Sequence, residues 1–106
     1  MKTVRNHPKA RAEFDQEADY YLDRGLIEQA VAFLDEIKAA VSAIQESPAR
    51  WRFVDPTNHP AIRTYGPTKK FGYRIGYIEE EHFIYILAYY YSGSEDPLSW
   101  TDRASD

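Results

Sequence analysis

A chain of 106 residues, 43% hydrophobic and 28% charged, has room for one domain and can close a core without staples. It has no cysteine, which excludes disulfides and thiolate metal sites, and no apolar run near the roughly 20 residues that span a bilayer. The formal net charge of −4 divides into −3 over residues 1–49, +5 over 50–74 and −6 over 75–106, which argues against bulk nucleic-acid binding and leaves room for a local basic patch.

The first residues lack the apolar core of a signal peptide, so a cytoplasmic protein of one domain, residues 1–106, is expected. Lys2-Thr3-Val4-Arg5 has the length of an edge strand. Pro8 fits the first position of a helix, with Asn6 or His7 at the cap and Glu13, Asp15 and Glu17 favourable toward its positive end. Ala10, Phe14, Ala18, Tyr21 and Leu22 recur at spacings of three and four as its core stripe, and Gly25 stops it. Tyr20 lies off that stripe.

A second helix is predicted from Leu26 or Ile27 to Gln45 or Glu46, with Ala30, Phe33, Leu34, Ile37, Val41 and Ile44 facing the core. The short connection folds the two helices back as an αα-hairpin. Ala32, Ala39 and Ala43 form a second row, expected on the opposite side of this helix from its core. Helix propensity alone explains such a row, and a partner helix approaching closely also explains it.

After Pro48 the period changes to two. Trp51-Arg52-Phe53 and Ile62-Arg63-Thr64-Tyr65 read as short strands, with 55–60 as a turn-rich loop between them. In Phe71–Ile78, the residues Phe71, Tyr73, Ile75 and Tyr77 face one way and Gly72, Arg74 and Gly76 the other. Two missing side chains beside Arg74 predict a shallow concavity into which it projects. Glu79-Glu80-Glu81 make a hairpin tip, and Phe83–Tyr91, apolar on both faces, reads as a central strand. The sum is an α+β fold, an N-terminal αα-hairpin packed on one face of a small, mainly antiparallel β-sheet.

Little in this pattern points to metal or cofactor chemistry. His7, His59 and His82 are scattered without a carboxylate cluster, no nucleophile elbow occurs, and Gly66-Pro67-Thr68-Lys69-Lys70 lacks a phosphate-loop spacing. No cofactor is expected. What remains is Arg63, Lys69, Lys70 and Arg74 with Tyr73, Tyr89–Tyr91, Trp100 and Arg103. Such a set grips RNA by phosphate contacts and stacking, or it is a packed sheet with solvated cations.

In order and spacing these features resemble the RelE/ParE superfamily of type II toxin–antitoxin toxins. The resemblance rests on Pro8-Lys9-Ala10 and Tyr20-Tyr21 in the first helix, Ser47-Pro48 and Trp51 after the second, and then Arg63 and Phe71-Gly72-Tyr73-Arg74. It continues through Ile86-Leu87-Ala88 to a tail, Pro97-Leu98-Ser99-Trp100-Thr101-Asp102-Arg103, closer to the ParE branch. It implies a small α+β toxin of the plasmid-stabilisation type, neutralised by a wrapping antitoxin. ParE-like members poison DNA gyrase, whereas RelE-like members cut messenger RNA on the ribosome.

Carried over singly, Arg63 and Arg74 match basic positions of the family's sheet, and Trp100 and Arg103 its C-terminal motif; these four are the expected target-binding residues. Tyr20, Ala32, Ala39 and Ala43 are the expected antitoxin contacts. The chain departs from the family where Tyr91 replaces a histidine and Ser92-Gly93-Ser94-Glu95-Asp96 replaces arginines. The expectation is therefore a non-enzymatic gyrase inhibitor with a ParD-like antitoxin. The alternatives are a ribosome-dependent endoribonuclease using Arg63, Lys69, Arg74 and Tyr91, and an inactive homologue that only binds antitoxin.

Overall fold

In the computed structural model, which describes residues 1–93 and 98–105, a strand β1 (Thr3–Asn6) leads directly into helix α1 (Pro8–Asp23). His7 makes the junction. Its backbone N–H donates to the Ile86 carbonyl at 2.8 Å, closing the strand ladder, and its Nδ1 accepts from the Lys9 amide at 3.0 Å, capping the helix. The first turn carries no acid, so Glu13 lies too far along α1 to act on the helix end and serves a different partner, described below. Gly25, at φ +70°, turns the chain into α2 (Ile27–Glu46).

The core face of α2 is Ala30, Phe33, Ile37, Ala40 and Ile44. That face is rotated from the predicted stripe. Ala40 is buried, whereas Leu34 is 39% exposed and Val41 half-buried; on α1, Leu22 is likewise exposed. The alanine row is also displaced from its expected position. It lies on one flank of α2, with Ala32 and Ala43 half-buried, and Ala39 faces Pro67, Thr68 and Lys69 across a shallow recess. Small side chains there let the 66–72 segment come close to the helix.

Glu36, in the same row, fixes that segment. Its carboxylate accepts from the Lys70 and Phe71 amides at 2.9 and 2.8 Å. Burial opposes the charge, but these two amides, the Thr68 hydroxyl and the Lys70 cation outweigh it and hold the carboxyl below its ordinary value. Glu36→Ala is expected to lower stability at neutral pH by about 1–3 kcal/mol, read by urea unfolding. A folded pKa below the unfolded one gives a contribution that is complete above the unfolded value and fades as pH falls through the folded value. The gap between wild type and variant should therefore narrow on acidification, and a constant gap would refute the assignment.

Five strands form one sheet in the order β1-β5-β4-β3-β2, with β2 at Phe53–Asp55, β3 at His59–Tyr65, β4 at Tyr73–Glu79 and β5 at Phe83–Tyr91. The β1–β5 pair is parallel and the others antiparallel. β3 begins earlier than expected, taking in His59 and Pro60, which sequence alone assigns to a loop. The helical hairpin covers one face, where Ile75, Tyr77, Ile84, Ile86 and Tyr89 meet Ala10, Phe33, Ile37 and Ile44.

β5 keeps both faces filled through a bulge. Tyr77 pairs with Ile86 and Gly76 with Ala88, so Leu87 is an extra residue. Leu87 and Ala88 consequently share the second face, with Ile62 and Trp100, and Tyr89 returns to the helix side. Among the described residues, no helix is long and apolar enough to cross a membrane.

Candidate functional site

The sheet face away from the hairpin is covered only in part. A short 3-10 helix, Thr101–Ser105, and the preceding Trp100 lie over its centre. Trp100 is 3% exposed, its ring 5.2 Å from that of Tyr90, and it fills the space that glycine leaves at position 76. A Cβ on Gly76 would come within 2.2 Å of the indole. The expected concavity beside Arg74 is thus half-occupied by the protein itself, and Trp100, expected at a target surface, is a buried packing residue. Gly72, the other expected gap, lies before β4 in a turn at φ +67°.

The open remainder is a cavity of about 320 Å³ lined by Arg52, Val54, Thr64, Arg74, Tyr90, Ser92 and Leu98. Strand parity builds it. Thr64 pairs with Gly76 and Arg74 with Tyr90, and the Thr64 amide donates to the Arg52 carbonyl at 2.9 Å, which sets these residues side by side. Arg74 is steadied by a 3.0 Å bond to the Gly66 carbonyl. The Thr64 and Tyr90 hydroxyls are bonded to each other at 2.9 Å. Burial raises the Tyr90 pKa against the lowering pull of Thr64, Arg74 and Arg52, so its hydroxyl stays protonated at neutral pH.

Arg52 was not among the expected site residues. In Trp51-Arg52-Phe53 it is the residue of opposite parity to two aromatics, and that alternation was the available signal. Arg63, by contrast, pairs with Tyr77 and belongs to the hairpin side of the sheet. It donates to the Trp51 carbonyl at 2.6 Å and lies 3.9 Å from the Phe53 ring centre. Arg63 and Arg74 therefore occupy opposite faces.

The other two residues of the expected nuclease set are also dispersed. Lys69 sits by the α2 flank, and Tyr91, 55% exposed, borders a separate groove with Glu13, Glu17, Tyr20, Tyr73 and Tyr89. In that groove Tyr73 donates to Glu17 at 2.7 Å; burial and the neighbouring carboxylates raise its pKa. Burial pushes Tyr89 up to about 12. Both hydroxyls stay protonated at neutral pH.

Arg103 grips Glu13 through two nitrogens, at 2.9 and 3.0 Å, and donates to the Leu87 carbonyl at 2.9 Å; Glu13 also accepts from the Tyr89 amide at 3.2 Å. It thus ties the tail to α1 and to the bulge. Residues Ser94, Glu95, Asp96 and Pro97, which carry the acidic departure and the start of the tail motif, lie outside the described residues. Among the described residues no three His, Asp or Glu side chains gather as a metal site.

The hairpin presents a different surface. Leu22, Leu26, Ile27, Val31 and Leu34 are exposed, and Leu34 continues into a trough of about 280 Å³ with Phe14, Val41 and Tyr89. Of the expected antitoxin contacts, Tyr20 is 47% exposed with the Arg24 guanidinium 3.7 Å over its ring, and it lies apart from the alanine row.

Among curated proteins, none matches this chain significantly in sequence. A chain of the chromosomal ParDE TA system from P. aeruginosa shares the fold, with a TM-score of 0.66 and 21% identity over 84% of this chain and 94% of that one. The family model described as ParE toxin of type II toxin-antitoxin system, parDE, matches residues 4–89, from β1 to near the end of β5. A match over most of the chain, on the α+β framework described above, makes this protein a member of the ParE toxin family of type II toxin–antitoxin systems.

Proposed function

We propose that the chain is a toxin that inhibits DNA gyrase by binding, through the open sheet face around Arg52 and Arg74, and that a ParD-like antitoxin neutralises it. Family membership carries the reading. The separation of Arg63 from Arg74 supports binding over RNA cleavage, because a scissile phosphate needs its cations around one point. For the antitoxin, the exposed Ile27, Val31 and Leu34 stripe suits the apolar face of an amphipathic helix. The alanine row is in part occupied by the chain's own 66–72 segment, so of the contacts expected from sequence Tyr20 is retained.

The test is regulated expression with and without the cognate antitoxin, together with a gyrase supercoiling assay on purified protein. Growth arrest with accumulated gyrase–DNA breaks is expected. Reversing both charges, Arg52→Glu with Arg74→Glu, should weaken gyrase inhibition at least about tenfold, since like charge across an interface costs well over 1 kcal/mol. Leu34→Asp should leave inhibition intact and impair neutralisation. Shortened messengers with normal DNA would overturn the reading in favour of a nuclease; unaffected growth would leave antitoxin binding alone.

A further inference from the structure

We infer that the open-face cavity is a receptor for a carboxylate, presented by an acidic side chain of an extended peptide segment of a partner protein and seated between Arg52 and Arg74. The inference rests on the proposal that this face meets the target, and adds what the face recognises.

Four observations carry it. Two arginines line one cavity whose described lining contains no carboxylate to neutralise them. Arg74 pairs with Tyr90 across the ladder and the Arg52 carbonyl accepts from the Thr64 amide, so both arginines flank the two hydroxyls. The Thr64–Tyr90 hydroxyl pair uses one of its two protons internally, leaving the other to donate to an incoming oxygen. Arg74 spends one N–H on Gly66 and is thereby oriented, with the rest of its fork available for two parallel bonds to a planar anion.

The walls decide between anions. Val54 and Leu98 give the cavity two apolar sides, which suit the aliphatic neighbours of an acidic residue in a peptide. Nucleic acid gains affinity by lining up many phosphates along a basic track. Here the last third of the chain carries a charge of −6, and two cations stand in one recess.

The test uses the full chain and four probes: a short fluorescein-labelled peptide with one glutamate between leucines, its glutamine counterpart, a short single-stranded DNA and inorganic phosphate. Anisotropy and amide chemical shifts are the readouts. The glutamate peptide should bind at least about tenfold tighter than the glutamine peptide and shift the Thr64 and Ser92 amides. Arg52→Gln, at an exposed position that leaves the fold intact by thermal melting, should lose at least about tenfold in peptide affinity. Thr64→Val should lose less.

Equal affinity for the two peptides overturns the inference, as does DNA or phosphate displacing the glutamate peptide at lower concentration than the peptide itself binds. Gyrase inhibition by Arg52→Gln, measured in parallel, separates the two proposals. Lost inhibition with unchanged peptide affinity overturns the carboxylate receptor alone. Lost peptide affinity with full inhibition keeps the receptor and removes this face as the gyrase surface.

Discussion

Trp100→Ala is expected to lower unfolding free energy by about 3–5 kcal/mol, as for other large buried aromatics. The ring is the main cover of the second sheet face, packing on Tyr90, Ile62, Leu87 and Ala88. Its removal exposes Gly76 and loosens the 3-10 helix together. Two companion variants sharpen the result. Gly76→Ala places a methyl where the indole now lies, so it should destabilise by about 1–3 kcal/mol by forcing the ring outward. Trp100→Phe should cost less than alanine, because the buried indole N–H has no hydrogen-bond partner among the described residues and phenylalanine removes that donor. Chemical unfolding of the three proteins checks this. If Trp100→Ala changed stability by under about 1 kcal/mol, the tail would be a loose cover and not part of the core.

Breaking the Arg103–Glu13 pair is expected to be the second large effect. Both side chains are partly buried, and the guanidinium also satisfies the carbonyl that the bulge exposes at Leu87. Arg103→Ala should cost about 2–4 kcal/mol, since it takes the guanidinium from the Leu87 carbonyl and leaves the partly buried Glu13 carboxylate with the Tyr89 amide in place of an ion pair. Arg103→Lys should recover less than half, for an ammonium cannot serve both carboxylate oxygens and Leu87 in one geometry. A double-mutant cycle with Glu13→Gln should give a coupling of about 1–3 kcal/mol, and additivity within about 0.5 kcal/mol would refute a direct pair. Exposed pairs such as Arg11–Asp15 should show almost none.

These two residues also show what the sequence makes legible. Trp100 and Arg103 stand out as a motif, but a motif does not say whether its residues face a partner or the chain itself. Their role depends on which strand atoms lie beneath them, and that is set by a pairing across the whole sheet. Element types and order follow from local periodicity, so the hairpin, the alternating β4 and the two-faced β5 are readable. Leu34 and Ala40 are not, because both fit an apolar stripe and the hairpin crossing decides which one is covered. Arg63 and Arg74 look equivalent until the β3–β4 register assigns them to opposite faces. Arg52 is hidden for the same reason, since its neighbours Thr64 and Tyr90 are distant in sequence.

The extra residue at Leu87 gives β5 a phase change. On its early side even-numbered residues point to the hairpin, as Ile84 and Ile86 do, and beyond it the odd-numbered Tyr89 does. Deleting the extra residue would only straighten the ladder, because Tyr89 and Tyr90 keep their β4 partners and the faces they now occupy. Flattening the bulge with Leu87 still in place would instead shift every later residue by one, sending Tyr90 under the helices and Tyr89 to the arginine cavity. The strand thus behaves as two segments in different frames, kept in step with β4 by one residue, whereas a length change at the tip after Glu79 would alter only a loop.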